Sequence, residues 1–203
     1  MNPLLGILPP YPFEKLRQLL AQSTTAPHSD PISLSIGEPK HDTPPFIKEV
    51  LAASLDGLAA YPPTKGDPAL RETIAQWIAR RYDIPAPNPD TQILPALGSR
   101  EALFSFTQAV VDPKAGAYVV CPNPFYQIYE GAAILAGAQP YYINAEAERQ
   151  FGCDWQAIPR EVWQRTRLVF ICSPGNPAGN VMTLDEWRTL FALSDEFNFV
   201  IAA

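Results

Sequence analysis

The sequence predicts an α/β protein of three layers, in which a mostly parallel sheet lies between two layers of helices. Two observations lead to this prediction. From about residue 90 onward, short apolar segments alternate with segments of helical period. The strand segments AYVVC, RLVFIC and FVIAA are nearly continuous apolar runs, which is typical of strands that helices cover on both faces. The 23 prolines mark the boundaries between segments.

The individual elements follow from period and punctuation. Apolar spacing predicts helices at 13–22, 45–57 and 68–82, the last with Asp67 as N-cap and Pro68 at its first position. The remaining predicted elements are, in chain order, a strand in PISLSIGEP (31–39), a strand in TQILPAL, a helix in SREALFSFTQAVVD, the strand AYVVC, a helix in FYQIYEGAAILAGA, the strands PYYIN and RLVFIC, a helix from Thr183 to Phe197, and the strand FVIAA. Residues 144–166 read as a connecting stretch with the start of a helix.

Composition excludes several classes of function. The 203 residues have room for one domain, or for one domain and part of another. A net charge of −6 argues against nucleic-acid binding, which depends on clustered Lys and Arg. No apolar run approaches the roughly 20 residues of a membrane span, and the first residues do not resemble a signal peptide, so we expect a cytoplasmic protein. The three cysteines lie far apart without histidines at metal-ligand spacing, which predicts reduced thiols and no metal site.

A glycine and a serine stand where a predicted strand meets a predicted helix, in Leu97-Gly98-Ser99-Arg100-Glu101. Free backbone N–H groups and the positive end of a helix dipole favour phosphate binding at such a point. A purely structural role, with Ser99 as the N-cap of the helix, is the alternative. No Gly-Lys-Ser/Thr follows, so the segment is not a Walker loop.

Aromatic residues follow the strand AYVVC, in the segment Pro122-Asn-Pro-Phe-Tyr126-Gln-Ile-Tyr129. Two prolines fix a turn at the end of the strand, and an aromatic ring there is well placed to stack on a planar cofactor. Core packing of Phe125 and Ile128, with Tyr126 as a surface phenol, is the alternative interpretation.

The loop Ser173-Pro-Gly-Asn176-Pro-Ala-Gly179 follows the strand RLVFIC. Its Pro-Gly and Asn-Pro pairs are turn elements, but the loop is longer than a chain reversal needs. Asn176 would project an amide at the sheet edge that carries the other two motifs, because the carboxyl ends of parallel strands meet there. A phosphate cradle, an aromatic ring and a directed amide together suit a phosphorylated planar cofactor.

Five segments, in this order, resemble those of the class I/II pyridoxal-phosphate aminotransferases. They are Ser35-Ile-Gly37-Glu-Pro39, Tyr61-Pro-Pro-Thr-Lys-Gly-Asp-Pro-Ala-Leu-Arg71, Gly98-Ser-Arg-Glu-Ala-Leu103, Pro124-Phe-Tyr-Gln-Ile-Tyr129 and the Asn176 loop. The resemblance covers residues 31–203. It implies an N-terminal arm with a segment of the small domain over 1–40, and the cofactor-binding large domain, incomplete on its C-terminal side, over 41–203.

Three further phrases make the sequence similar to one subgroup, the succinyldiaminopimelate aminotransferases of bacterial lysine biosynthesis. These phrases are Tyr11-Pro-Phe-Glu-Lys-Leu16, LSIGEPKH and Cys121-Pro-Asn-Pro-Phe-Tyr-Gln-Ile-Tyr-Glu-Gly131. The resemblance implies amino-group exchange between glutamate and the keto form of a succinylated diaminopimelate precursor. Enzymes of this kind act as N-succinyl-LL-2,6-diaminopimelate:2-oxoglutarate aminotransferases.

The resemblance also implies roles for the cofactor-binding residues. The backbone amides of Ser99 and Arg100 would hold the phosphate of pyridoxal 5'-phosphate. Tyr126 would stack on the pyridine ring, and Asn176 would donate a hydrogen bond to the phenolic oxygen of that ring.

Two residues nearer the N-terminus are implied as well. Gly37 would offer its backbone to the α-carboxylate of the substrate. Tyr61 would reach the cofactor phosphate of a neighbouring subunit, which implies a homodimer with amino acids and 2-oxo acids as substrates.

Three groups that the chemistry needs are not found in the chain. These are the Schiff-base lysine, an aspartate at the pyridine nitrogen and an arginine for the substrate carboxylate. None of Lys15, Lys40, Lys48, Lys65 and Lys114 lies in the Ser-x-x-Lys context of the family. We therefore interpret residues 1–203 as the front part of an aminotransferase, with the lysine beyond residue 203 and no activity of its own.

Two alternatives stay open at this point. The same fold supports other amino-acid aminotransferases and cofactor-dependent lyases, which differ from the first interpretation in substrate and reaction. A truncated, non-catalytic protein of this fold is the second alternative.

Overall fold

The computed structural model describes residues 1–22, 32, 34, 36–113 and 116–203. Contacts between residues divide the chain into two compact units. One unit comprises Met1–Pro10 and Ala96–Ala203, and the other comprises Tyr11–Pro95. This division does not test the domain boundary predicted after residue 40, which stays a prediction.

The unit Tyr11–Pro95 is helical. Its elements are α1 (Pro12–Ala21), α2 (Pro45–Ala53), a 3₁₀ helix (Leu55–Ala59) and α3 (Pro68–Tyr82). Each α-helix begins with proline, whose fixed φ and missing N–H suit a first turn. Asp67 caps α3 as predicted, because its carboxylate accepts hydrogen bonds from the N–H groups of Ala69 and Leu70 at 2.8 and 3.2 Å.

A buried arginine fixes the turn that follows α3. Arg71 Nη1 donates to the carbonyl of Pro89 and, at 2.7 Å, to the carboxylate of Asp90. The guanidinium holds the pKa of the Asp90 carboxyl below its usual value, through this hydrogen bond and its charge. Asn88 accepts from the Asp90 N–H at 2.8 Å, so the turn is held from both sides.

One predicted strand does not form, and a second lies partly outside the described residues. In the segment 31–39, positions 31, 33 and 35 lie outside the described residues, and the others are not in a strand. TQILPAL is a turn followed by irregular backbone. A strand requires a neighbour that pairs with its backbone, and Pro95 has no N–H to contribute.

The other unit contains the predicted sheet. Its strands are β1 (Tyr118–Asn123), β2 (Gln139–Glu146), β3 (Gly152–Cys153), β4 (Thr166–Phe170) and β5 (Val200–Ala202). Their order is β3-β2-β1-β4-β5, in which β1, β2, β4 and β5 are parallel and β3 pairs antiparallel with β2. The two-residue strand β3 lies in the stretch 144–166, where its short length left no periodic signal.

Helices connect and cover the strands. They are α4 (Ser99–Val110), α5 (Ile128–Leu135), α6 (Arg160–Trp163) and α7 (Leu184–Phe197), and short 3₁₀ helices lie at Pro3–Ile7, Ala147–Arg149 and Trp155–Ala157. In the part of the chain that the structure describes, no helix combines the length and the apolar character that crossing a membrane requires.

The two faces of the sheet bury separate apolar cores, which explains the continuous apolar runs. Alternate residues of β1 and β4 face opposite sides. One core joins them to α4 and α5 and includes Val119, Cys121, Leu168, Phe170, Tyr129 and Ala133. The other joins them to α6 and α7 and includes Val120, Val169, Ile171, Trp163, Leu190 and Phe199. The predicted three-layer α/β/α arrangement with a mostly parallel sheet is therefore confirmed.

The strand order reverses at β1, since β2 lies on one side of it and β4 on the other. In open α/β sheets, ligands bind outside the carboxyl ends of the strands at such a reversal. The loops that leave β1 and β4 there are those that carry Tyr126 and Asn176.

Candidate functional site

The turn before α4 has the features of a phosphate cradle. The N-cap is Gly98, so the alternative of Ser99 as N-cap is wrong, and no side chain caps this end. Gly98 has φ 121° and ψ 150°, a conformation that is essentially restricted to glycine. The first intrahelical bond runs from the Ala102 N–H to the Gly98 carbonyl at 3.1 Å. The earlier N–H groups of the helix therefore have no acceptor within it.

Tyr126 lies in the loop after β1, half-buried, next to this turn. Its hydroxyl accepts a hydrogen bond of 3.0 Å from Arg100 Nε, and the Arg100 guanidinium carbon lies 5.8 Å from the ring centroid. The turn before α4 and the Tyr126 ring, which lie 26 residues apart in sequence, are thus in direct contact.

The tyrosine that follows supports Tyr126 from below. Tyr129 is 4% exposed and packs edge-on against the Tyr126 ring, with centroids 6.0 Å apart. It stacks on Phe170 of β4 at 4.2 Å. Burial, with smaller contributions from Cys172 and Cys121, raises the pKa of Tyr129 to about 12, so its phenol stays neutral at ordinary pH.

The Asn176 loop folds back on itself after β4. Gly175 donates to the Asn180 carbonyl and accepts from the Gly179 N–H, both at 2.7 Å. The Ser173 hydroxyl accepts from the Met182 N–H at 3.0 Å. A Cβ on Gly175 would lie 2.2 Å from the Asn180 side-chain oxygen, so a larger residue there would require the Asn180 side chain to shift. Asn176 itself is exposed.

A small cleft brings the loops after β1 and β4 together. It has a volume of about 40 Å³, and its lining includes Pro124, Phe125, Asn176, Asn180, Trp155 and Glu186. At roughly 10–15 Å³ for each water, it has room for a few water molecules rather than for a cofactor.

Two side-chain pairs near this edge were not predicted. Asn123 donates to Asn144 at 2.8 Å across the ends of β1 and β2. Phe125 stacks on Tyr142 with centroids 5.5 Å apart, so it is neither free for a ligand nor simple core. The asparagines at the ends of AYVVCPN and PYYIN are the sequence signal that could have predicted the first pair.

Tyr142 and Trp155, at this edge, have unusual surroundings. Burial first, and then the hydrogen bond to Glu130, raises the pKa of Tyr142. Trp155 is 4% exposed, and its Nε1 is buried without a hydrogen-bond partner among the described residues.

All three cysteines are free; Cys121 and Cys153 are buried and Cys172 is partly buried. Burial raises the pKa of Cys121 well above its usual value and that of Cys153 to about 11. Both thiols are therefore protonated at neutral pH, which is typical of structural rather than reactive cysteines.

Gly37 and Tyr61 belong to the other compact unit. Gly37 lies in irregular backbone with open space around it, and the Tyr61 side chain is fully exposed. Their predicted contacts with the substrate and with a second subunit stay predictions. The structure joins Arg100, which follows Ser99 in the first turn of α4, to Tyr126 and places Asn176 at the same end of the sheet.

Comparison with known proteins identifies the family. The sequence profile described as "Aminotransferase class I and II" matches residues 29–202. The chain belongs to this family. The resemblance to aminotransferases predicted from the five segments is confirmed.

One solved structure and two curated relatives show what this chain is similar to. A crystal structure of an aminotransferase from Neisseria meningitidis is 50% identical, with a TM-score of 0.92 over 99% of this chain and 51% of that one. The LL-diaminopimelate aminotransferase of Gloeobacter violaceus is 34% identical over 97% of this chain. That of Desulforudis audaxviator is 35% identical over 96%. This chain spans about half the length of the curated relatives it matches.

Proposed function

We propose that the protein containing this chain transfers amino groups between amino acids and 2-oxo acids with pyridoxal 5'-phosphate as its cofactor. The observation that carries the proposal is the hydrogen bond from Arg100 to Tyr126, which joins a helix N-terminus suited to phosphate with a ring suited to stacking. Membership of the class I and II aminotransferases supports it.

The residues at the sheet edge fit a phosphorylated planar group. Gly98 at the N-cap leaves the first N–H groups of α4 without a capping side chain, so those of Ser99 and Arg100 would hold the phosphate. The half-buried Tyr126 would offer one ring face, and the exposed Asn176 amide would donate to the phenolic oxygen. When bound, the cofactor supplies an electron-withdrawing ring that stabilises negative charge at the α-carbon of the substrate.

Further groups would complete the substrate and cofactor sites. Gly37 would orient the substrate carboxylate, and Tyr61 would complete the phosphate site of a second subunit in a homodimer. The lysine, aspartate and arginine of the family chemistry would come from the half of the family's length that the chain does not span.

At the finer level we propose a diaminopimelate-type amino donor. The names of the curated relatives support LL-diaminopimelate itself. The segments Tyr11–Leu16 and Cys121–Gly131 resemble the enzymes that use the N-succinyl form. The two donors differ in charge, because succinylation removes an ammonium group and adds a carboxylate.

A donor panel tests both levels of the proposal. The protein is produced from its complete coding region, supplied with the cofactor, and assayed for glutamate formation from 2-oxoglutarate. We expect activity with LL-diaminopimelate or its N-succinyl form, and the ratio of their kcat/KM values decides between the two. Consumption of the amino donor in the absence of any 2-oxo acid would indicate a lyase. Absence of cofactor binding would overturn the proposal.

A further inference from the structure

Arg100 occupies a position where a positive charge is unfavourable. It is the second residue of α4, and a cation near a helix N-terminus is opposed by the helix dipole, typically by about 0.3–1 kcal/mol. Its side chain is therefore expected to gain something elsewhere. The Nε hydrogen bond of 3.0 Å to the Tyr126 hydroxyl provides such a contact.

Three contacts hold Tyr126, one through its backbone and two through its side chain. Its backbone carbonyl accepts from the Tyr129 N–H at 3.0 Å, which fixes the start of α5 relative to the loop. One part of the ring packs edge-on against Tyr129. The hydroxyl, at the far end of the ring, is bound by Arg100. The packing against Tyr129 and the hydrogen bond from Arg100 both restrict the ring, and the hydrogen bond acts at its far end, where rotation about the χ angles moves the ring most.

We propose that the Arg100 side chain is a positioning residue, which fixes the plane of the Tyr126 ring for stacking rather than binding the phosphate by its charge. This proposal rests on the proposed function. It separates two roles within one residue, because the backbone N–H of Arg100 lies on the phosphate turn while its side chain reaches the ring. Pre-orienting the ring removes an ordering cost that cofactor binding would otherwise include.

A double-mutant cycle tests the proposal. The variants Arg100→Met, which removes the donor, and Tyr126→Phe, which removes the acceptor but keeps the ring, are compared with the double variant. The protein comes from the complete coding region, and the dissociation constant for pyridoxal 5'-phosphate is measured on the cofactor-free form. We expect each single change to weaken binding about threefold to tenfold, as for the loss of one hydrogen bond. The double variant should bind the cofactor no more weakly than the single variant with the lower affinity.

Two additional measurements separate positioning from charge. Arg100→Gln keeps a neutral donor, so it should recover part of the affinity that Arg100→Met loses. Binding of inorganic phosphate, measured alone, should change less than twofold in any of these variants. Arg188→Met removes an exposed arginine on α7 and serves as a control for loss of charge; its cofactor affinity should equal that of the unmodified protein.

The contrary outcomes are distinct. Additive effects in the cycle, or a loss of phosphate affinity that matches the loss of cofactor affinity, would show that Arg100 acts directly on the phosphate. If the unmodified protein binds no cofactor at all, the proposed function fails together with this inference. Thermal unfolding of each variant identifies any that are misfolded. If one is, the cofactor affinities of Arg100→Gln and Arg100→Met are compared, and equal affinities would contradict the proposal.

Discussion

Gly98 shows how a single residue determines the phosphate turn. A glycine and a serine at the start of a predicted helix indicated the turn. The structural alternative considered from the sequence took Ser99 as the N-cap. The cap is Gly98, because φ 121° and ψ 150° exclude a side chain. The backbone angle, rather than the capping preference of serine, decides the position, and sequence spacing alone does not report that angle.

The backbone conformation of Gly98 leads to a stability prediction. Gly98→Ala places a Cβ in a region of φ and ψ that only glycine occupies readily, so we expect the free energy of unfolding to fall by about 1–3 kcal/mol. Cofactor affinity should fall as well, since the turn must shift. Urea unfolding measures the first effect and cofactor titration the second.

Gly131→Ala provides the matched control for this change. Gly131 lies within α5, and a Cβ there meets nothing within 4 Å. Alanine should therefore stabilise the protein, by about 0.5–1 kcal/mol. Equal effects of the two substitutions would contradict the assignment of strain to Gly98.

Tyr129 leads to a prediction about pH. Its pKa in the folded protein is about 12, against an ordinary value of 10, because burial disfavours the phenolate. The folded state therefore favours the neutral form, and the resulting stability is complete below pH 10 and lost as the pH rises from 10 towards 12. The unmodified protein should lose stability relative to Tyr129→Phe across this range, as measured by urea unfolding at several pH values. Parallel profiles of the two proteins would show that this phenol is not responsible.

Among the elements, the helices that begin with a capping residue or a proline were predicted best. Asp67 and Pro68 marked the start of α3, and Thr183 marked the start of α7. The strand predicted in TQILPAL did not form among the described residues. Helices satisfy their own backbone hydrogen bonds, whereas a strand depends on a partner that local sequence does not identify.

The cap of α7 allows this local control to be measured. The Thr183 hydroxyl accepts from the Glu186 N–H at 3.2 Å, and the Glu186 carboxylate accepts from the Thr183 N–H at 2.7 Å. Thr183→Ala should lower the free energy of unfolding by about 1 kcal/mol, as capping changes do. It should also loosen the Asn176 loop, which leads directly into this helix.

Thr73→Ala in α3 is the control for removing a threonine hydroxyl. That hydroxyl bonds the Ala69 carbonyl inside the helix at 2.7 Å and caps nothing. We expect a change below about 0.5 kcal/mol. A larger effect than that of Thr183→Ala in urea unfolding would contradict the importance of the cap.

At the scale of the whole molecule, alternating apolar strands and helices predicted the three layers correctly. They could not predict burial outside the sheet. The apolar spacing at 45–57 predicted a helix, and α2 forms, yet Phe46, Val50 and Leu51 are all more than 60% exposed. The spacing of apolar residues identifies the apolar face of a helix. Which residues cover that face depends on contacts that are distant in sequence.

The candidate site was partly predictable for the same reason. Strands that end at one edge of a parallel sheet bring their loops together, so Tyr126 and Asn176 could be placed from strand order alone. The Arg100–Tyr126 hydrogen bond depends on side-chain geometry, which no sequence pattern expresses.

The central claim is that this edge of the sheet binds pyridoxal 5'-phosphate, and a crystal structure of the protein from its complete coding region with the cofactor tests it most directly. The account predicts the phosphate at the N–H groups of Ser99 and Arg100, the pyridine ring against Tyr126, and the Asn176 amide at the phenolic oxygen. A cofactor bound elsewhere, or a phosphate held away from the start of α4, would contradict it.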